Sequence, residues 1–156
     1  MSAKVGERRR AREYALQLLF QLDLSPEETE HAVTSFWNGK KAAEAVSTFA
    51  DRLVSGTMGH RAAIDDVLAQ SALNWRISRM AVVDRNILRM AIYEFFFEPD
   101  TPRVVVIDEA IEIAKKFGND ESGPFINGIL DAIRIKLENG EIEIPPGLAS
   151  PAEAAS

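Results

Sequence analysis

Val104-Val105-Val106-Ile107-Asp108-Glu109-Ala110-Ile111-Glu112-Ile113-Ala114-Lys115-Lys116-Phe117-Gly118 is the stretch on which the fold turns. Its first four residues are β-branched, and such side chains favour a pleated strand. Read alone, 104–107 is a strand and the chain a mixed α/β protein. Over the longer window, apolar residues at 104, 107, 110, 111, 114 and 117 recur every three or four positions, the spacing of one helix face. Gly118 stands just past the last of them, at the C′ position of a helix end. A period held for about four turns outweighs the propensity of four residues. The spacing predicts helix over 104–117.

The same period extends in both directions. Pro99 and Pro102 bracket a turn before this helix. Upstream, Asp84 is placed to cap a helix running to about Phe97, with Ile87, Met90, Ala91 and Phe95 on one face. Leu88 and Ile92 widen that face, which predicts a central, buried helix. Downstream, Ser122 can cap a last helix carrying Ile126, Ile129, Leu130 and Ile133, which ends at Asn139-Gly140. Ala11, Tyr14, Ala15, Leu18, Leu19 and Leu22 mark a first helix over 7–23. Ser25-Pro26-Glu27-Glu28 reads as the start of a second, and Asn38-Gly39 as its stop. A third stripe, Ala43 to Val54, is expected to break or bend at Gly56 and Gly59 before Ile64, Val67, Leu68 and Ala72. Asn74-Trp75 reads as a turn holding a large apolar anchor. The expected architecture is all-α, about seven helices joined by short loops. Residues 1–140 are expected to form one domain and 141–156 a disordered tail, since Pro145-Pro146-Gly147 and small residues follow.

At 156 residues the chain suits one domain with a core of its own. It has no cysteine, which excludes disulfides and thiolate metal sites and makes the cytosol the natural compartment. The basic start has no apolar run of signal-peptide type behind it, and no stretch approaches the roughly 18 apolar residues of a membrane span. Charge is uneven. Residues 1–12 hold five Lys/Arg and one acid, a net +4; the other 144 hold 13 Lys/Arg and 23 acids, a net −10, which makes the total −6. A cation in a first helical turn opposes the macrodipole by about 0.3–1 kcal/mol, so folding does not ask for arginines there. A polyanion partner would explain them, and the acidic remainder confines such a contact to a local patch.

Enzymatic machinery is thin. His31 and His60 fall on different helices and belong to no ligand cluster, and no phosphate loop, dinucleotide fingerprint or nucleophile elbow is present. No catalytic residue, cofactor or metal is expected. Asp108 and Glu112, four apart, could share a face as catalytic carboxylates do, but Glu112 is equally placed to pair with Lys116 on a solvated face. Arg8, Arg9, Arg10 and Arg12 are either a floppy basic terminus or a concentrated arginine face, and arginine matches phosphate bidentately and stacks on bases. Lys115 and Lys116 either complement a helix dipole or extend that basic surface. Phe125 either enters the core or stacks on an unpaired base. Asn127-Gly128 is odd inside a helix, because glycine costs about 1 kcal/mol there relative to alanine; close packing or close ligand approach would have to offset it.

Four segments, 8–13 (Arg-Arg-Arg-Ala-Arg-Glu), 83–94 (Val-Asp-Arg-Asn-Ile-Leu-Arg-Met-Ala-Ile-Tyr-Glu), 106–118 and 125–131 (Phe-Ile-Asn-Gly-Ile-Leu-Asp), resemble in order and separation the NusB family of transcription antitermination factors. The resemblance covers about residues 6–137 and is weak over 26–75. It implies a fold of two small helical bundles and no catalysed reaction. It implies binding of single-stranded boxA RNA in ribosomal leader transcripts, together with NusE, a small-subunit ribosomal protein, within the RNA polymerase antitermination complex. By motif position, Arg8, Arg9, Arg10, Arg12, Lys115, Lys116, Glu121, Phe125 and Asn127 would lie at the RNA surface, and Phe20 and Asp84 on the NusE side. Gly123-Pro124 stands where many relatives carry larger polar or basic residues, which implies a less basic loop.

Two rivals remain open at this stage. A similar helical domain precedes the catalytic domain of some ribosomal RNA cytosine methyltransferases, but such a chain would continue into a cofactor fold with catalytic cysteines. A scaffold that binds only protein would differ from the RNA-binding reading by failing to retain RNA.

Overall fold

Residues 5–146 are described by the computed structural model. They form seven α-helices: α1 (Val5–Leu24), α2 (Thr29–Trp37), α3 (Glu44–Gly59), α4 (Arg61–Ser71), α5 (Val82–Phe97), α6 (Arg103–Phe117) and α7 (Ser122–Glu138), with a 3-10 turn at Ile77–Arg79 between α4 and α5. No strand occurs among the described residues. Val104, Val105, Val106 and Ile107 are therefore helical. The buried face of α6 is Val106, Ile107, Ala110, Ile113 and Ala114, turned slightly from the expected stripe, so that Val104 is exposed.

Two bundles meet on α5. In one, α1 packs along α3 and α2 lies against both; in the other, α6 packs along α7, and α4 touches α5 and α7. α5 contacts α1, α3, α4, α6 and α7, and every residue from Asn86 to Phe96 is buried. Burial on all sides is what a central helix requires, but α5 also carries Asn86, Arg89 and Glu94 inside. Buried charge must be paired and hydrogen-bonded. Glu94 receives two hydrogen bonds from Arg12 on α1, both 2.8 Å. Arg89 bonds Asp65 of α4 at 2.8 and 3.1 Å and Asp23 of α1 at 3.3 Å. Asp23 also accepts from Arg85 at 2.7 and 2.8 Å and from Asn86 at 2.8 Å. These ion pairs fix α1 to α5 at two levels. Burial alone would push the Asp23 carboxyl up; the hydrogen bonds from Arg85 and Asn86 and the arginine charges outweigh it and hold the group below its ordinary value.

Helix ends depart from the expected caps in an instructive way. Ser25 does not start α2: its N–H closes the last turn of α1 on the Gln21 carbonyl at 2.8 Å, and α2 begins at Thr29. Asp84 is not an N-cap but lies inside the first turn of α5, after Ala81. Ser122 is itself helical. Asn119 organises that end instead, its Oδ1 accepting from the Glu121 N–H at 2.9 Å while its own N–H donates to Ser122 Oγ at 3.1 Å. Gly118 is extended rather than left-handed; a Cβ there would stand 2.5 Å from Ser122 Oγ, so close approach is what excludes a side chain. The stops at Gly39 and Gly140 are left-handed, φ 81° and 75°, as Asn-Gly stops demand. The expected break falls at His60, with α3 continuous through Gly56. Beyond α7, the N–H groups of Glu141 and Ile142 bond the Lys136 carbonyl and Ile142 packs on the core; residues 147–156 of the expected tail lie outside the described residues.

Candidate nucleic-acid interface

The four arginines share one helix but not one environment. Arg12 is 3% exposed, locked on Glu94. Burial works against its charge, but the hydrogen bonds and the charge of Glu94 outweigh that and raise its pKa, so it stays cationic. Its guanidinium is spent inside the protein, and the expectation of a direct RNA contact does not suit its geometry. Arg9 reaches α6, donating Nε to Glu109 at 2.7 Å and leaving its terminal N–H groups on an exposed side chain. Arg8 lies flat on Phe49 of α3, 3.9 Å from the ring centroid. Arg10 stands over Tyr14, 5.8 Å from its centroid. Each of these three keeps a donor edge for an anion while its stem is held, which lowers the entropy lost on binding.

Helix α6 places the two lysines on separate partners. Lys115 bonds Glu112 at 3.2 Å and Lys116 reaches across to Glu13 of α1 at 2.9 Å. The pairing expected between Glu112 and Lys116 is thus not the one formed, and both pairs are exposed enough to exchange for a phosphate at small cost. Lys115 borders two grooves. One also holds Arg9, Asp108 and Glu109. The other, of about 630 Å³, runs along Gly118, Asn119, Gly123, Pro124 and Asn127 at the α6–α7 loop. Arg9 of α1 and Asn127 of α7 therefore border two neighbouring grooves that share Lys115.

At the start of α7, Glu121 and Asn127 are exposed and Phe125 is half-buried. Phe125 is neither sunk in the core nor alone: Trp75 meets it edge to face, centroids 5.8 Å apart. Trp75 is 56% exposed, so the expected turn anchor is a surface residue. A Cβ at Gly128 would meet nothing within 4 Å, which removes close packing as the reason for that glycine. Of the two residues expected to face NusE, Phe20 is 36% exposed on α1, while Asp84 is 8% exposed with an Oδ1 that has no hydrogen-bond partner among the described residues. Among the described residues no group of three or more His, Asp or Glu is placed to hold a metal ion, and no helix is long and apolar enough to cross a membrane. Sequence reasoning missed Trp75 as the neighbour of Phe125, and Glu94 and Glu109 as the acids that sort the arginines; only pairing across the fold reveals them.

Comparison with known proteins agrees with the architecture and with the order of its motifs. The family model described as the NusB family matches residues 9–134. The transcription antitermination protein NusB of Myxococcus xanthus is 44% identical over 138 residues, spanning 85% of this chain and 98% of that one. T. maritima NusB superposes with a TM-score of 0.78 at 37% identity, over 91% of this chain and all of that one. A chain in the crystal structure of antitermination factors NusB and NusE in complex with dsRNA superposes with a TM-score of 0.74 at 26% identity, over 83% of this chain and 97% of that one. The family match over residues 9–134 and a relative 44% identical across nearly its whole length leave one assignment: this chain belongs to the NusB family of transcription antitermination proteins.

Proposed function

We propose that this chain binds a boxA-type single-stranded RNA together with NusE, and so helps RNA polymerase, in the cytoplasm, to resist premature termination. Residues 1–140 act as the RNA-binding unit. The observation that carries the reading is the pair of grooves that share Lys115, with Arg9 of α1 bordering one and Asn127 of α7 the other. The cations take phosphates, Phe125 takes a base face, and Glu121, one turn before Phe125, and Asn127, on the neighbouring groove, meet base edges. Arg12 serves as the strut that sets the arginine helix on α5, and Lys116 shares the basic rim.

In this reading NusE docks on the side of Phe20 and Asp84. Asp84 lies in the first turn of α5 and is 8% exposed, so it adds negative charge near this surface to attract a basic protein. Phe20, 36% exposed on α1, offers an apolar contact. The test is a fluorescence-anisotropy titration of a labelled boxA-type RNA, with and without NusE, on the wild-type chain and on Phe125→Ala and Phe20→Asp. Phe125→Ala should weaken RNA binding in both arms; Phe20→Asp should weaken only the gain from NusE. RNA affinity no greater than for an unrelated acidic polymer would sink the reading in favour of a protein-only scaffold.

A further inference from the structure

The segment between α4 and α5 exposes Trp75, the neighbour of Phe125, together with Arg76 and Arg79, to which the reading above gives no role. An exposed tryptophan wastes a large apolar face unless something covers it. Trp75 is rigidly presented: its N–H donates to the Ala72 carbonyl at 3.0 Å, and the following 3-10 turn closes with Arg79 N–H on the Arg76 carbonyl at 2.9 Å. Its ring rests edge-on against Phe125, leaving two aromatic faces at about a right angle, 81°. The Arg76 and Arg79 side chains make no hydrogen bond or ion pair among the described residues, unlike Arg9, Arg12, Arg85 and Arg89. Two unpaired guanidiniums within four residues of an exposed indole, next to a ring already assigned to a base, form a surface with the chemistry of a nucleic-acid strand: alternating stacking platform and phosphate clamp.

We propose that the bound RNA does not end at Phe125 but continues over Trp75, which stacks a second base, to Arg76 and Arg79, which hold the flanking phosphates. This rests on the RNA-binding reading above and extends it by naming the far half of the strand's path. The path then runs from α1 past Lys115 and Asn127 to the α4–α5 connection. Leu73, 85% exposed, stands beside Trp75 on the same segment; RNA is favoured over a protein partner because the patch meets Phe125 and carries two guanidiniums that form no ion pair among the described residues.

The chain contains two tryptophans, Trp37 and Trp75. Trp37 is half-buried and donates Nε1 to Asp51 at 2.6 Å. In a Trp37→Phe background, Trp75 is therefore the sole indole reporter. Titrating a boxA-type single-stranded oligoribonucleotide should quench and shift its emission in proportion to binding. Trp75→Ala should weaken binding about 5- to 150-fold with an unchanged salt slope, and Trp75→Phe should restore most of it. Arg76→Ala with Arg79→Ala should flatten the slope of log K against log salt by about 1.4. Circular dichroism melts of each variant should match the wild type, since all three side chains lie outside the core. If wild-type chain binds RNA and Phe125→Ala weakens it while Trp75→Ala and the double arginine variant do not, the extension is wrong and the strand ends at Phe125. If Trp75→Ala weakens only NusE binding, the patch belongs to a protein and the proposal also fails. If the wild-type chain binds no RNA, the underlying reading falls with it.

Discussion

Gly56→Ala and Gly128→Ala have opposite expected signs. A Cβ at Gly56 would fall on the Tyr93 ring, and overpacking of this kind costs about 1–3 kcal/mol. A Cβ at Gly128 meets open space, so alanine should stabilise α7 by about 1 kcal/mol. If the RNA backbone passes there, the same variant loses affinity while gaining stability, and thermal melts beside RNA titrations separate the two effects. Arg12 makes a related point. In sequence it is one of four equivalent arginines; its role depends on Glu94, 82 positions away, which no local pattern reveals. Arg12→Ala should destabilise the fold by about 3–5 kcal/mol, because it leaves a buried carboxylate unpaired, read as a drop in the urea midpoint. Arg10→Ala should leave that midpoint nearly unchanged, since its side chain is exposed and makes one long hydrogen bond at 3.4 Å.

Among elements, α6 was legible because its period ran longer than its β-branched start, and burial decided in favour of the period. Helix ends were less legible. Ser25 and Asp84 have capping side chains at plausible positions, but the backbone of α1 runs on to take the Ser25 N–H and α5 starts two residues before Asp84. Capping chemistry is local, and where a helix starts is set by the partner it must bury against. The Asp23 junction of α1, α4 and α5 is wholly tertiary, and it carries a pH dependence. The Asp23 carboxyl is depressed in the folded chain, against about 3.9 when unfolded. Its stabilising contribution is therefore present above the unfolded value and is lost as pH falls through the folded one. Acid titration of stability should show a fall beginning near pH 4, and Asp23→Asn should be less stable at pH 7 and lose that part of the acid dependence. An unchanged acid profile in Asp23→Asn would show that other carboxylates govern it.

For the whole molecule, a net charge of −6 has to be reconciled with a polyanionic ligand. The reconciliation is local: Glu94, Asp23 and Asp65 pair with the inward-facing Arg12, Arg85 and Arg89, which leaves the net charge unchanged, while Arg8, Arg9 and Arg10 gather exposed or half-exposed positive charge at the start of α1. Sequence showed the basic cluster and the family motifs but not this partition, because partition depends on which acids fold against which arginines. It changes a number. Four phosphate contacts from the arginine cluster would give a slope of about −3 for log K against log salt with a single strand, whereas three, with Arg12 internal, give about −2. Replacing Arg8, Arg9 and Arg10 together with alanine should therefore flatten the measured slope by about 2, whereas Phe125→Ala should lower affinity at constant slope, because stacking releases no counterions. RNA titrations between 50 and 200 mM salt, roughly the range in which such slopes are read, decide it. A triple variant that keeps the wild-type slope would mean that the arginine helix is a solvated terminus and that phosphate recognition rests on the lysines of α6 and the arginines of the α4–α5 connection.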